Sequence, residues 1–361
     1  MDTPEEQKKI KVLVVDDSAL MSRQIANILS SADGIEVVGR AKDGKEALAL
    51  IEELNPDVIT LDVEMPTMNG LTALKHIMVK YAIPTVMLSA LTTEAAQTTF
   101  DSLKFGAIDV VAKPSKKETE SLEAQKADII SKVKRAAFID TGRLRYLRLA
   151  NPNSRKEKKS KGQPTPETRF IVIGAGVGGY YSLLRIIPAL PADFPGVVIS
   201  VMTTAPRYID PFVAFLDNHS FLPVRRLEDR LPAERGVCYI CSAQEGFLLG
   251  KTTDSPILFA KHEPMGSFEP RSVDAMFRSV ARVIGTNAVG VILSGAGTDG
   301  AEGISAIRKS GGISVIQDIN NCMDPSMPLA ALEKGLVERV LPDYRMADYF
   351  VKLCSVREQH T

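Results

Sequence analysis

Cysteine and histidine are scarce, at four each in 361 residues. Four cysteines are too few for a disulfide framework, and Cys238 and Cys241 form the sole C-x-x-C spacing. That pair lies in VCYIC, an apolar run with strand character. Residues three apart on a strand point to opposite faces, so reduced core thiols are expected there, not a metal or redox centre. Net charge is also missing: 44 basic residues balance 44 acidic ones, so no field favours nucleic acid or an anionic membrane. Apolar runs such as AVGVILSGAG fall short of the roughly 20 residues that cross a bilayer. The opening MDTPEEQKKI does not read as a signal peptide, and a cytoplasmic location is expected.

The remaining composition suits two globular domains, since 45% of the residues are hydrophobic and the chain is long enough for two cores. After a tail at 1–10, strand-like runs alternate with amphipathic helical patterns: KVLVVD, IEVVGRA, DVITLD, PTVMLSA and DVVAKP. This alternation predicts a five-stranded parallel sheet with helices on both faces, closed by a helix from 117 to about 140. A linker is expected over 141–168, of which NPNSRKEKKSKGQPTPET, residues 151–168, is charged and almost without apolar residues and is expected to be mobile. From 169 to 355 a second doubly wound, mostly parallel sheet is expected, with VCYIC and ILFAKH as an antiparallel insertion.

In the first sheet the residues with chemistry sit at strand ends. Asp16 and Asp17 end the first strand, Asp62 the third, Ser89 the fourth and Lys113 the fifth. The carboxyl ends of parallel strands converge on one crevice, so three carboxylates meet a hydroxyl and an ammonium there. Carboxylates that crowd in this way call for a cation, and an oxygen-only set suits Mg²⁺. The combination is suited to accepting a phosphoryl group.

VVDDS, LDVEMPTMNG, MLSA and AKPS in 11–115 resemble the receiver domain of two-component response regulators. The resemblance implies Asp62 as phosphoacceptor, Asp16, Asp17 and Asp62 as Mg²⁺ ligands, Ser89 as the switching hydroxyl, Lys113 as the phosphate-sensing ammonium and a histidine kinase as partner. Receivers usually carry Tyr or Phe three residues before that lysine; here the position is Val110.

In the second domain FIVIGAGVGGYYSLL reads at first as a dinucleotide loop, a strand running through Gly174, Gly176 and Gly179 into a helix. Such a site needs an acidic residue at the end of the next strand, and GVVISVM leads into Thr203 and Thr204 instead. IVIGAGVGG, RSVDAMFRSVA, NAVGVILSGAGTDGAEG and GGISVIQD together resemble the catalytic domain of the chemotaxis protein-glutamate methylesterases. That resemblance implies a Rossmann-like hydrolase domain acting on chemoreceptor tails, with a Ser, a His and an Asp in catalysis. Gly176 stands where the family has Ser, Met202 is the nearest equivalent of its His, and Asp299 matches its Asp. Two of the three groups are therefore absent, and Asp299 is expected to cap the helix beginning GAEGISAIRKS. The expectation is a phosphorylation-controlled, chemotaxis-type regulator whose output domain binds without hydrolysing. The alternatives are an esterase or glutamine deamidase with substitute residues, among them Thr203, Thr204, Tyr180 or Ser200, and a nucleotide-binding domain.

Overall fold

A computed structural model describes residues 9–90, 93–114, 122–141, 147, 158–251, 256–260 and 272–355. The chain divides into two compact units, Met1–Leu147 and Arg148–Thr361.

In the first unit five strands, β1 (Ile10–Val15), β2 (Ile35–Ala41), β3 (Val58–Asp62), β4 (Thr85–Ser89) and β5 (Asp109–Ala112), alternate with helices. The helices are α1 (Ala19–Ser30), α2 (Gly44–Leu54), α3 (Gly70–Lys80), α4 (Thr93–Lys104) and α5 (Leu122–Ala136). The sheet order is β2-β1-β3-β4-β5 and every pairing is parallel. Val12 to Val15 are fully buried, as the continuous apolar run requires of a strand covered on both faces. Ser18, Asp43 and Asn69 begin the first three helices by accepting the amides of Met21, Glu46 and Thr72, which satisfies donors that the first turn leaves unpaired. The chain runs outward on opposite sides of β1, so the ends of β1 and β3 flank the switch point where an open α/β sheet places its site.

The second unit is built on a seven-stranded sheet. Its strands are β6 (Phe170–Ala175), β7 (Val197–Met202), β8 (Val224–Arg226), β10 (Val237–Ser242), β13 (Ala288–Ile292), β14 (Ile313–Gln317) and β15 (Arg339–Leu341). They pair in the order β15-β14-β13-β6-β7-β10-β8, all parallel. Three short strands, β9 (Leu231–Pro232), β11 (Phe247–Lys251) and β12 (Pro256–Ala260), form a separate antiparallel sheet. The helices are α6 (Gly179–Ile186), α7 (Ile209–His219), α8 (Val273–Ile284), α9 (Ala301–Lys309), α10 (Ser326–Glu333) and α11 (Asp343–Ser355).

Two expectations change. VCYIC is a strand of the main parallel sheet, between β7 and β8, whereas residues 257–260 of ILFAKH lie in the antiparallel insertion as expected; Lys261 and His262 lie outside the described residues. Cys238 and Cys241 are buried in β10, and burial pushes both thiols well above the usual range, as inert core cysteines require. The described end of the expected linker, residues 158–168, is bonded to the output unit. Lys161 N–H donates to Arg235 O, Arg235 N–H donates to Gly162 O, and Asn287 Nδ2 donates to Pro166 O. Main-chain groups dock a segment without apolar side chains, so composition did not signal it.

Candidate functional site

At the carboxyl ends of β1, β3, β4 and β5 lies a cleft of about 810 Å³, lined among others by Asp17, Asp62, Ser89, Thr98 and Lys113. Carboxylate oxygens of Asp16, Asp17 and Asp62 lie within 4.8 Å of one another. Lys113 Nζ reaches Asp62 Oδ2 at 2.7 Å and Asp16 Oδ2 at 2.9 Å. Topology thus brings together the five residues singled out at strand ends, with Asp16 and Asp62 buried and Asp17 exposed.

The charges in this cleft are out of balance. Burial raises the Asp62 carboxyl above the ordinary range and Asp16 adds to that, while Lys113 opposes it. Burial works against charge on Lys113, but its bonds to Asp62 and Asp16 together lift its pKa, so it stays an ammonium. Lys113 offsets one of three carboxylates, and two negative charges remain. Asp16 Oδ2 is buried with no hydrogen-bond donor beyond the Lys113 ion pair. An oxygen-only, doubly negative set with an open side fits Mg²⁺.

Ser89 is buried, and its Oγ lies 2.7 Å from Thr99 Oγ1 on α4. Val110 is fully buried on β5, where Lys132 Nζ donates to its carbonyl at 2.6 Å. Lys132 is itself buried beside Asp109, at 3.5 Å, and burial raises the Asp109 carboxyl. Thr99 and Lys132 were not singled out from sequence, since each is one ordinary position in a helical pattern.

In the second unit the glycine turn after β6 is pressed against the loop after β13. Gly176 N–H donates to Ser294 O, and Gly179 N–H returns to Gly176 O. Gly178 has φ of +79°, the left-handed conformation that glycine adopts without penalty. A Cβ on Gly176 would stand 2.7 Å from Gly295 Cα, 3.0 Å from Thr203 Oγ1 and 3.2 Å from Met327 Sδ. The glycines therefore serve a close approach of two loops, which accounts for the dinucleotide-like pattern without a nucleotide.

Thr203, not Met202, is the residue beside Gly176. Met202 is the last residue of β7, buried and paired with Ala175 and Ser242. Thr203 is the first residue beyond the strand, and its N–H donates to Ala175 O. One residue of register turns a side chain to the other side of a strand, so the choice between neighbours was not available from sequence. Tyr180 O–H donates to Thr204 Oγ1 at 3.2 Å, and Ser200 is fully buried in β7. His219 Nδ1 is bonded to Phe215 O one turn back on α7, and His262 and His360 lie outside the described residues.

Asp299 is a capping residue, but for a different helix than expected. Its carboxylate accepts the N–H groups of Val273 and Asp274, each at 3.0 Å, at the start of α8. Helix α9 starts instead at Gly300, which has no side chain to bond with.

A receiver-domain model, described as "Response regulator receiver domain", matches residues 12–124, and one described as "CheB methylesterase" matches residues 171–350. A "Protein-glutamate methylesterase/protein-glutamine glutaminase" from Pyrococcus horikoshii is 37% identical over 355 residues, covering 97% of this chain and 95% of the relative. One of the same name from Archaeoglobus fulgidus is 38% identical, covering 96% of this chain and 99% of the relative. The catalytic domain of the Thermotoga maritima CheB methylesterase is 29% identical, with a TM-score of 0.48 over 52% of this chain and 98% of that one. With a receiver followed by a methylesterase-type domain and this identity over nearly its whole length, the chain belongs to the CheB protein-glutamate methylesterase family of chemotaxis response regulators.

Proposed function

We propose that this chain is a phosphorylation-controlled regulator of a chemosensory pathway, acting in the cytoplasm, whose output domain binds chemoreceptor tails without hydrolysing their methyl esters. In the receiver, an Asp62 oxygen attacks the phosphorus of a kinase phosphohistidine; the new O–P bond forms as the P–N bond to the imidazole breaks. Asp16, Asp17 and Asp62 would hold Mg²⁺, which supplies charge neutralisation for the phosphoryl oxygens. Lys113, already bonded to Asp62, balances the negative charge that arrives.

The observation that carries the inactive reading is the surroundings of Gly176. Glycine supplies no nucleophile, the neighbouring side chain is Thr203 and not a base, and the space for a serine side chain is taken by Gly295 and Met327. Asp299 is engaged with the start of α8. The test is methanol release from methylated receptor, with and without a phosphodonor; background-level release is expected in both.

The name shared by the relatives favours a second reading, an active methylesterase or deamidase using substitute residues. Turnover by the unaltered protein that is lost in T203V would establish that reading and end the first.

A further inference from the structure

We infer that Thr99 on α4 is the positioning residue through which Ser89 reports the phosphorylation state of Asp62. This rests on the receiver reading above and extends it to a residue outside the phosphate cleft's recognised set.

Ser89 ends β4 and lines the cleft with Asp62 and Lys113, yet its hydroxyl is paired with Thr99 at 2.7 Å. Ser89 is 2% exposed and Thr99 0%, so bulk water does not stand in for either partner. The next residue back, Thr98, lines the same cleft, which places this turn of α4 against the site. The turn is also braced from within, since Ser102 Oγ donates to Thr99 O at 2.5 Å.

A hydroxyl has one proton to give. Hydrogen bonds to an ionised acceptor are roughly twice as strong as neutral ones, so a phosphoryl group on Asp62 draws the Ser89 proton toward itself. Thr99 then keeps its bond only by donating to Ser89, and if the Ser89 side chain rotates toward the phosphoryl group the bond is lost or α4 follows. In either case the Ser89–Thr99 pair has two arrangements and phosphorylation selects between them, as a switch requires. The opposite neighbour of β4 offers no such pair. Val110, across from Met87 on β5, is aliphatic, and its carbonyl is held by Lys132.

The experiment compares the full chain with T99V and T99S, each treated with Mg²⁺ and acetyl phosphate. Acyl phosphate on Asp62 is read by mass spectrometry and opening of α4 by amide hydrogen exchange over 98–104. Wild type and T99V should both be phosphorylated. The phosphorylation-dependent change in α4 exchange should shrink about fivefold in T99V, the factor one net hydrogen bond of about 1 kcal/mol is worth. T99S, which keeps the hydroxyl, should respond like wild type, and T99A, which also removes the hydroxyl, takes the place of T99V where T99V does not fold. An unaltered response in T99V, a lost response in T99S, or no change in α4 of the phosphorylated wild type overturns the assignment. Absence of acyl phosphate on wild-type Asp62 would instead overturn the receiver reading on which it depends.

Discussion

Asp299, in the loop before α9, and Asp274, in α8, join the starts of the two helices. Asp299 accepts the N–H groups of Val273 and Asp274 at the start of α8, while Asp274 Oδ1 accepts the N–H of Gly303 in the first turn of α9 at 2.5 Å. Asp299 thus sits against the positive end of α8 and Asp274 against that of α9, each satisfying amides that the first turn leaves unpaired. Asp299 is thus part of a clasp between the starts of α8 and α9.

Removing half of that clasp should be costly. D299A leaves two amides at the start of α8 without acceptors, and a loss of about 1–2 kcal/mol is expected, the usual cost of deleting a capping side chain. Urea denaturation of the full chain, followed on the output-domain transition, measures it. D299N, which keeps one acceptor oxygen, should fall between D299A and wild type.

Asp274 gives the clasp a pH dependence. Burial raises its carboxyl above the ordinary value, and the neighbouring Asp299 charge adds to this. The folded state therefore binds this proton more tightly than the unfolded state. Its contribution to stability is full below the unfolded pKa and is lost as the pH rises through the folded one. D274N keeps an acceptor for Gly303 and removes the charge. Its stability relative to wild type should accordingly improve as pH rises from about 4 toward neutrality, the direction set by linkage. A difference that stays constant over that range would show that the Asp274 charge carries no penalty.

Placing a serine at position 176 should fail twice. In G176S the added Cβ meets Gly295 Cα at 2.7 Å, a contact with backbone that must shift, and a destabilisation of about 1–3 kcal/mol is expected from such overpacking. Without a neighbouring base the new hydroxyl also stays protonated, so no methanol should be released. Because Thr203 faces Gly176, G176S/T203H should recover more activity than G176S/M202H.

Phosphate chemistry should depend on both carboxylate and metal. With Mg²⁺ and a small phosphodonor the wild type should gain one phosphoryl group by intact mass. D62N or excess chelator should abolish that gain, since each removes a part of the pocket that phosphoryl transfer needs.

Lys132 on α5 is a buried cation beside Asp109 on β5. K132M leaves the buried Asp109 without that ammonium, and breaking such a pair typically costs about 3–5 kcal/mol at neutral pH. Asp109 is already held above the ordinary carboxyl range by burial, so the deficit should shrink at acid pH as it takes up a proton. A thermal melt at two pH values distinguishes this from simple loss of packing.

The receiver site was legible from the sequence because everything that builds it is local. Apolar runs of strand length end in Asp16, Asp62, Ser89 and Lys113, and parallel topology carries strand ends to one rim whatever the loops do. That residue 176 itself supplies no nucleophile was equally legible, since a glycine cannot attack whatever surrounds it. Tertiary structure alone decided that Thr203 and not Met202 faces that glycine, that Asp299 caps α8 and not α9, and that Thr99 holds Ser89. It also drew 158–168 onto the output unit and placed VCYIC inside the parallel sheet. Each of these is a contact between segments far apart in the chain or a matter of one residue of register. Local pattern encodes a residue's own conformation and burial, and not the partner that packing brings to it.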